Sequence, residues 1–274
     1  MVGVTQFVKS PTSFDDVVGL GEVKNTLRQI ATSTVGSVER QKLSAENSWL
    51  SILFYGPSGN GKALLAAALA KQFGAQFISI DLANLLFGCT CWTNMNNTEN
   101  VKKLFSEAAK NKSSIIFFEG IDTIFPLPSE LELSAYNQLL KELDKPIHEV
   151  MIIASATEIG KIPWVLFRRF WYKLEVPLPD KKDRREIIQN MLIQFRAHAE
   201  KNNVFEVKDR SIAIEVLVKA TEGFSIGEII KVWQITQLNS IPFREIIDLN
   251  DKITLKPFNF EIAFEEVKQE RKKK

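Results

Sequence analysis

Cysteine and histidine are scarce in this sequence of 274 residues, which contains two of each. Cys89 and Cys91 are close together, whereas His148 and His198 are far from them along the chain. A structural zinc site needs about four ligands of these types. The composition therefore argues against a structural zinc site.

Long hydrophobic runs are also missing. The longest, such as Ala63–Ala70, fall well short of the roughly 20 apolar residues needed to cross a bilayer. The opening "MVGVTQFVKS" lacks the basic segment and apolar core of a secretion signal. We therefore expect no membrane insertion and a cytoplasmic or nuclear location.

An excess of charge of one sign is absent as well. The 35 basic and 33 acidic residues leave a formal net charge of +2. This balance offers no bulk attraction to nucleic acid, so no nucleic-acid partner is predicted. Hydrophobic residues make up 45% of the chain and charged residues 25%, which is typical of a globular protein with a packed core.

Short apolar segments alternate with amphipathic helical segments over the first two thirds of the chain. The segments predicted as strands are "WLSILFY", "AQFISIDL", "SSIIFFEGID", "EVMIIASATE" and "YKLEVPLPD". Strands that are apolar on both faces indicate a parallel sheet covered by helices on both sides. After Asp180 only helical patterns follow. We therefore predict an α/β nucleotide-binding domain over residues 1–180 and a small all-helical lid domain over residues 181–274.

A phosphate-binding loop lies between the first predicted strand and the helix that follows. Gly56, Gly61 and Lys62 satisfy the spacing G-x-x-x-x-G-K in the context that supports this motif. Glycines let backbone N–H groups face phosphate oxygens, the helix start adds partial positive charge, and the lysine supplies a cation. The residues predicted to contact the nucleotide here are Gly56, Pro57, Ser58, Gly59, Asn60, Gly61, Lys62, Ala63 and Leu64. Ala63 stands where the motif has the Ser or Thr that ligates Mg²⁺.

Several segments resemble the ATPase module of the AAA family, in the same order and spacing. They are "FDDVVGLGEVKNTL", "ILFYGPSGNGKALLAAALA", "SSIIFFEGID", "IIASATE", "FRRFWYKLEVPLPD" and "TEGFSIGEI". The last two look most like the branch of katanin, spastin and the ATPases that disassemble endosomal-sorting filaments. The resemblance implies a P-loop NTPase fold, ATP as ligand, assembly into a homo- or hetero-oligomeric ring of AAA subunits, and a polypeptide substrate. It also maps the adenine pocket onto Val17, Val18 and Gly19.

The positions that the resemblance assigns to the metal and the attacking water carry unusual residues. In the family, the strand resembling "SSIIFFEGID" ends in Asp-Glu, which hold Mg²⁺ and activate the water. Here the pair is Glu119 and Gly120, so Glu119 is the weak metal-ligand candidate and no base follows it. The family's first sensor, an Asn, aligns with Glu158. Asp122 is either a substitute acid or a structural carboxylate.

Other assignments concern contacts with neighbouring molecules. Arg168 and Arg169 match the family's arginine fingers, with ordinary surface arginines as the alternative. Phe87, before Gly88, is either a substrate-gripping pore residue or a core residue.

These features lead to one preferred function and two alternatives. The preferred hypothesis is an ATP-binding AAA module with weak or lost hydrolysis, acting as a ring subunit or scaffold. The first alternative is an active ATPase that remodels protein assemblies, with Glu119 or Asp122 serving the metal and water. The second is a docking module that binds no nucleotide.

Overall fold

The computed structural model describes residues 8–41, 51–88, 97–111, 113–125, 130–145, 150–202, 214–239 and 257–273. The chain folds into two compact units. The first comprises residues 1–17, 21–57 and 61–177, and the second comprises residues 18–20, 58–60 and 178–274. Two short N-terminal segments therefore belong with the C-terminal unit.

The first unit is built on a sheet of six strands among the described residues. These strands are β1 (Val8–Lys9), β2 (Ser51–Tyr55), β3 (Gln76–Asp81), β4 (Ser114–Glu119), β5 (Val150–Ala156) and β6 (Tyr172–Glu175). Their order across the sheet is β1-β3-β4-β5-β2-β6, and every pair is parallel except β1 with β3. The predicted parallel α/β fold is confirmed. The antiparallel edge strand β1 was not predicted, because two residues are too few to show a periodic pattern.

Helices alternate with these strands and continue beyond them. Those of the first unit are α1 (Gly21–Gln41), α2 (Lys62–Phe73), α3 (Leu82–Phe87), α4 (Asn97–Lys110), α5 (Glu130–Leu143) and α6 (Trp164–Phe167), with a short 3₁₀ helix at Ile159–Lys161. The second unit contains α7 (Lys181–Asn202), α8 (Ile214–Ala220), α9 (Ile226–Asn239) and α10 (Pro257–Lys273).

Each unit has its own hydrophobic core. In the first, apolar side chains of β3, β4 and β5 pack with those of α3, α4 and α5, and Phe118 and Leu86 are among the buried members. In the second, Ile188, Val218 and Phe264 belong to a cluster shared by α7, α8, α9 and α10. The central strand β4 is apolar on both faces, as burial between two helical layers requires.

Local end signals act as the sequence predicts. Gly74 ends α2 with φ of 63°, and its N–H donates to Ala70 and Lys71 carbonyls. At the start of α9, Ser225 Oγ accepts from Glu228 N at 3.2 Å, and Glu228 Oε2 accepts from Ser225 N at 2.8 Å. This reciprocal pair is a capping box, which a Ser followed three residues later by Glu predicts from sequence. Ser129 and Glu132 have the same spacing and predict a second capping box, but Ser129 lies outside the described residues.

Candidate functional site

The phosphate loop begins at Gly56, directly after β2. Gly56 has φ of 133°, and its N–H donates to Ala156 O of the neighbouring strand at 3.1 Å. A Cβ placed on Gly56 would stand 2.4 Å from Val176 O. Only glycine fits both this backbone conformation and this close approach.

The loop ends at the start of α2, which lacks a side-chain cap among the described residues. Gly61 is the N-cap in the left-handed region, and no acidic residue occupies the first turn. The first hydrogen bond of the helix runs from Leu65 N to Gly61 O at 2.9 Å. The N–H groups at the start of α2 are therefore available to an anion, which the helix dipole also favours.

The middle of the loop, residues 58–60, belongs to the second unit. Gly59 O accepts from Gly227 N at 2.8 Å, and Asn60 Oδ1 accepts from Ile226 N at 3.2 Å. A Cβ on Gly59 would stand 3.2 Å from Ser225 Oγ. Within this unit, the loop residues thus supply hydrogen-bond partners for the first N–H groups of α9.

Lys62 reaches back over the loop from the first position of α2. Its Nζ donates to Gly56 O at 2.6 Å and to Pro57 O at 2.8 Å. Burial lowers the pKa of Lys62, and the negative charge of Asp122 partly opposes this shift. The lysine is therefore placed at the loop by backbone carbonyls.

Asp122 connects the turn after β4 with the end of β5. The residue is 5% exposed, and its Oδ2 accepts from Thr157 N at 2.9 Å and from Glu158 N at 2.8 Å. Its Oδ1 is buried and has no hydrogen-bond partner among the described residues. The two backbone contacts are those expected of a structural carboxylate, and the unpaired oxygen marks an unsatisfied acceptor beside the loop lysine.

Glu119 and Gly120 lie where β4 ends. Glu119 is exposed, and its Oε1 accepts a short hydrogen bond from Ser79 Oγ on β3. Gly120 has φ of +66°, and its N–H approaches Ser155 Oγ at 3.4 Å. The residue after Glu119 therefore has no side chain, and its backbone is in a conformation that L-residues other than Asn and Asp rarely adopt.

Glu158 follows β5 and forms an ion pair with Lys161 of the 3₁₀ helix. The distance from Lys161 Nζ to Glu158 Oε1 is 2.6 Å, and both side chains are exposed. This hydrogen bond, with the charge of Glu158, raises the pKa of Lys161. Nothing in the sequence motifs singled out Lys161, because an i,i+3 pair on a surface turn has no distinguishing signal.

The two predicted arginine fingers have different surroundings. Arg169 is largely buried and donates hydrogen bonds to both carboxylate oxygens of Asp144. Its Nε donates to Oδ1 at 2.8 Å. It also donates to Val165 O. Arg168 is exposed, and its side chain makes no hydrogen bond or ion pair with any described residue. Of these two arginines, Arg168 is therefore the one whose guanidinium can contact another molecule without first breaking an ion pair.

The residues assigned to the adenine pocket lie in two different units. Val17 belongs to the first and accepts from Lys24 Nζ at 2.7 Å, whereas Val18 and Gly19 belong to the second. Val18 packs against the second core, and a Cβ on Gly19 would stand 3.2 Å from Asp183 Oδ1.

Asp183 was not predicted as part of this site. Its Oδ1 accepts from Leu20 N at 3.1 Å. Burial and the neighbouring Asp180 raise the pKa of Asp183. Its role depends on a contact with a residue far away in sequence, so no local pattern could reveal it.

The remaining expectations concern Phe87, membranes and metal clusters. Phe87 is half-buried and packs against the first core, as a core residue does. No described helix is long and apolar enough to span a bilayer. The described residues contain no group of three or more His, Cys, Asp or Glu side chains suited to a metal ion.

A family model matches the part of the chain that contains the phosphate loop. The family described as "ATPase family associated with various cellular activities (AAA)" matches residues 52–178. This chain carries an AAA domain. The match covers the phosphate loop, strands β4 and β5, and the adjacent Arg168 and Arg169.

Curated relatives match most of this chain. A proteasome-activating nucleotidase of Sulfurisphaera tokodaii is 30% identical over 263 residues, covering 90% of this chain and 62% of the relative. The ATP-dependent zinc metalloprotease FtsH of Mycoplasma pneumoniae is 29% identical, covering 91% of this chain and 35% of the relative. The chain therefore spans less than two thirds of the length of these relatives.

Solved structures share the fold. The AAA domain of FIGL-1 superimposes with a TM-score of 0.74 at 23% identity, covering 97% of this chain and 86% of that one. A structure described as the basis for katanin self-assembly gives a TM-score of 0.68 at 23% identity, covering 93% and 84%. At this identity the likeness concerns the fold of the AAA module.

The AAA family implies nucleotide binding, generally with Mg²⁺. The residues present fit a phosphate group, because the start of α2 offers free N–H groups and Lys62 supplies a cation. The fit for a metal is poorer, since Ala63 has no side-chain oxygen and the strand-end carboxylate of Glu119 already accepts a hydrogen bond from Ser79.

Proposed function

We propose that this AAA protein binds ATP at the phosphate loop, hydrolyses it weakly or not at all, and acts as a ring subunit or scaffold. The observation that carries the proposal is the contrast between Lys62, held over a formed loop, and Gly120, which follows the strand-end Glu119. Loss of a general base typically lowers a rate by about 10² to 10⁴. Replacement of the metal-ligating hydroxyl by Ala63 further supports weakened Mg²⁺ binding.

ATP binding and phosphate release, measured with and without Mg²⁺ on one preparation, test this proposal. We expect ATP to bind in both conditions, with little phosphate released. Lys62→Ala should weaken ATP binding by about 10- to 100-fold, because hydrogen bonds to charged groups contribute about 1.5–3 kcal/mol. Lys71→Ala is the matched control, since Lys71 lies on the same helix and its Nζ donates to Pro11 O.

Each outcome of that measurement supports one of the three functional hypotheses. ATP at about 100 times its dissociation constant should stabilise the fold by about 2.7 kcal/mol. An unchanged melting temperature at millimolar ATP would instead support the docking module. Phosphate release that exceeds the no-enzyme blank and falls in Lys62→Ala would support the active ATPase.

The ring-subunit part of the proposal is supported by the surroundings of Arg168. Trp164 and Trp171 are 70% and 71% exposed on the same stretch of chain. Exposed tryptophan and arginine side chains are typical of protein interfaces. Arg168 is therefore the proposed finger, while Arg169 is tied to Asp144 of its own chain.

The oligomeric state with and without ATP tests this part. We expect a larger species with ATP, and a shift towards monomer in Trp171→Ser. Arg168→Ala, mixed with an active AAA relative, should remove any effect that the unmodified chain has on that relative's turnover. A monomer under all conditions, together with no effect on the relative, would contradict the ring-subunit role.

A further inference from the structure

The end of β5 lies directly beside the start of the phosphate loop. Gly56 N donates to Ala156 O at 3.1 Å, and Tyr55 is the register partner of Ala156 in the parallel pair β2–β5. Residues 157 and 158 therefore leave the sheet next to the loop. All of these residues belong to the first unit.

Asp122 fixes this segment and couples it to the loop lysine. Its Oδ2 holds Thr157 N and Glu158 N, so the backbone that carries Glu158 has a defined position. The negative charge of Asp122 is felt by both Lys62 and Lys161. The position of Lys161 follows from the backbone instead: it lies three residues after Glu158, whose N–H is held by Asp122 beside the loop.

Among the described residues, the Lys161 ammonium has one ion-pair partner, Glu158. Its Nζ donates to Glu158 Oε1 at 2.6 Å, and the two side chains are 60% and 59% exposed. An ammonium group has three N–H donors, so two of them remain for another acceptor. Exposed ion pairs contribute little to stability, so this pair can reorient at small cost.

We infer that Lys161 is a second cation for the terminal phosphate of ATP, and that it acts together with Glu158. The inference rests on the proposed ATP binding. Lys161 cancels the charge of Glu158, which would otherwise repel the phosphate, and directs a second N–H at a phosphate oxygen. ADP lacks this phosphate, so the pair favours ATP over ADP.

The charges at this edge make such a cation necessary. Asp122 and Glu158 are adjacent through backbone hydrogen bonds, and a nucleotide would bring further negative charge to Lys62. Without Lys161, the carboxylate of Glu158 would add an unbalanced negative charge to this edge. Lys161 balances the second carboxylate, so that Lys62 remains available to the phosphates.

Affinities for ATP and ADP in Lys161→Gln, Glu158→Gln and the double variant test the inference. Calorimetric titration with ADP and with the β,γ-imido analogue of ATP avoids hydrolysis. Lys161→Gln should weaken binding of the ATP analogue by about tenfold and that of ADP by less than about twofold, because one charge-assisted contact is lost and Glu158 is uncompensated. The double variant should recover part of this loss, since the repelling carboxylate is gone.

Lys268→Gln is the matched control. Lys268 forms an exposed i,i+3 pair with Glu265 on α10, at 3.1 Å, so its replacement removes the same charge from a similar pair. It should change neither affinity. Melting temperatures without nucleotide should match in all variants, because the altered side chains are exposed.

The outcomes separate this inference from the proposed function. If the unmodified chain binds neither nucleotide, both fall. If it binds both nucleotides but Lys161→Gln weakens them equally or not at all, only the role of Lys161 is wrong. A double variant as weak as Lys161→Gln would contradict the neutralisation of Glu158. Selective weakening of the ATP analogue with partial recovery supports the whole inference.

Discussion

The phosphate loop and the polar turn regions after β4 and β5 are neighbours joined by the hydrogen bond from Gly56 N to Ala156 O. In the loop, backbone conformation and the lysine agree with phosphate binding. At the strand ends, Glu119 accepts a hydrogen bond from Ser79, the Gly120 backbone is in the left-handed region, and Glu158 forms an ion pair with Lys161. The backbone features of a phosphate loop can therefore persist beside strand ends whose side chains have changed.

The backbone explains this separation. The loop depends on backbone N–H groups and on glycines that resist substitution: a Cβ on Gly56 would collide with Val176 O, and Gly59 and Gly61 have positive φ. At the end of β4, the exposed side chain of Glu119 can be replaced without disturbing the strands. Each of the following changes tests one side of this comparison.

Gly56→Ala should have the largest effect. The new Cβ would collide with Val176 O, and φ of 133° is strained for any side chain. We expect a loss of roughly 3 kcal/mol or more in the free energy of unfolding, measured by urea denaturation. Gly21→Ala is the control, since no atom lies within 4 Å of its added Cβ. Equal stability of the two variants would show that the loop start tolerates a side chain.

Asp122→Ala should have the next largest effect. The change leaves Thr157 N and Glu158 N without their acceptor, which should cost about 2–4 kcal/mol in the free energy of unfolding. Asp122→Asn keeps one acceptor oxygen for both N–H groups but loses the negative charge, so it should cost about half as much. If Asn were as harmful as Ala, the charge rather than the two hydrogen bonds would hold this turn.

Gly120→Glu should fail to create an active ATPase. The new carboxylate would stand at the predicted base position, but φ of +66° is unfavourable for glutamate, and a Cβ would stand 3.1 Å from Thr123 Oγ1. We expect a loss of about 1–2 kcal/mol in unfolding free energy and no gain in phosphate release. Gly120→Asn, which tolerates this backbone, should be less destabilising. A clear gain in hydrolysis would mean that the side chain alone was missing.

The pH dependence of ATP affinity is the smallest of the expected effects near neutral pH. In the proposed site, protonated Lys62 binds phosphate, and burial lowers the pKa of Lys62 in the free protein. As the pH rises, ATP affinity should therefore begin to fall at a lower pH than an ordinary lysine pKa of about 10.4 would predict. Beyond that point the affinity should fall by up to about tenfold per pH unit. Titrations between neutral and alkaline pH measure this. Lys62→Arg, whose guanidinium stays charged, should lose this dependence, and a fall in both proteins would place the titration elsewhere.

Local signals in the sequence predicted much of the fold. Apolar strands such as β4, the glycine after α2 and the capping box at Ser225 depend on neighbouring residues, so they can be read from the chain. Strand β1 could not, because its only evidence is pairing with β3. The sequence pattern predicts that the last helix begins at Asn259, but the helix begins at Pro257, because terminal residues carry weak periodic signals.

The site was predictable only in part, for the same reason. Gly56, Gly61 and Lys62 are recognisable because the loop is one continuous segment. The contacts of Asp122 with residues 157 and 158, and of Asp183 with Leu20, join distant segments and leave no spacing pattern. The different surroundings of Arg168 and Arg169 were equally hidden, since adjacent arginines look alike in sequence.

By itself, the sequence determined the succession of strands and helices, the phosphate loop, and which side chains are missing from the predicted metal and water positions. These features follow from residue types and short spacings. Only the tertiary structure decided that Asp122 is held by backbone N–H groups, that Glu158 is paired, that Arg169 is tied to Asp144, and that residues 58–60 belong with α9. Such contacts depend on how the sheet and helices bring distant residues together, which no local pattern encodes.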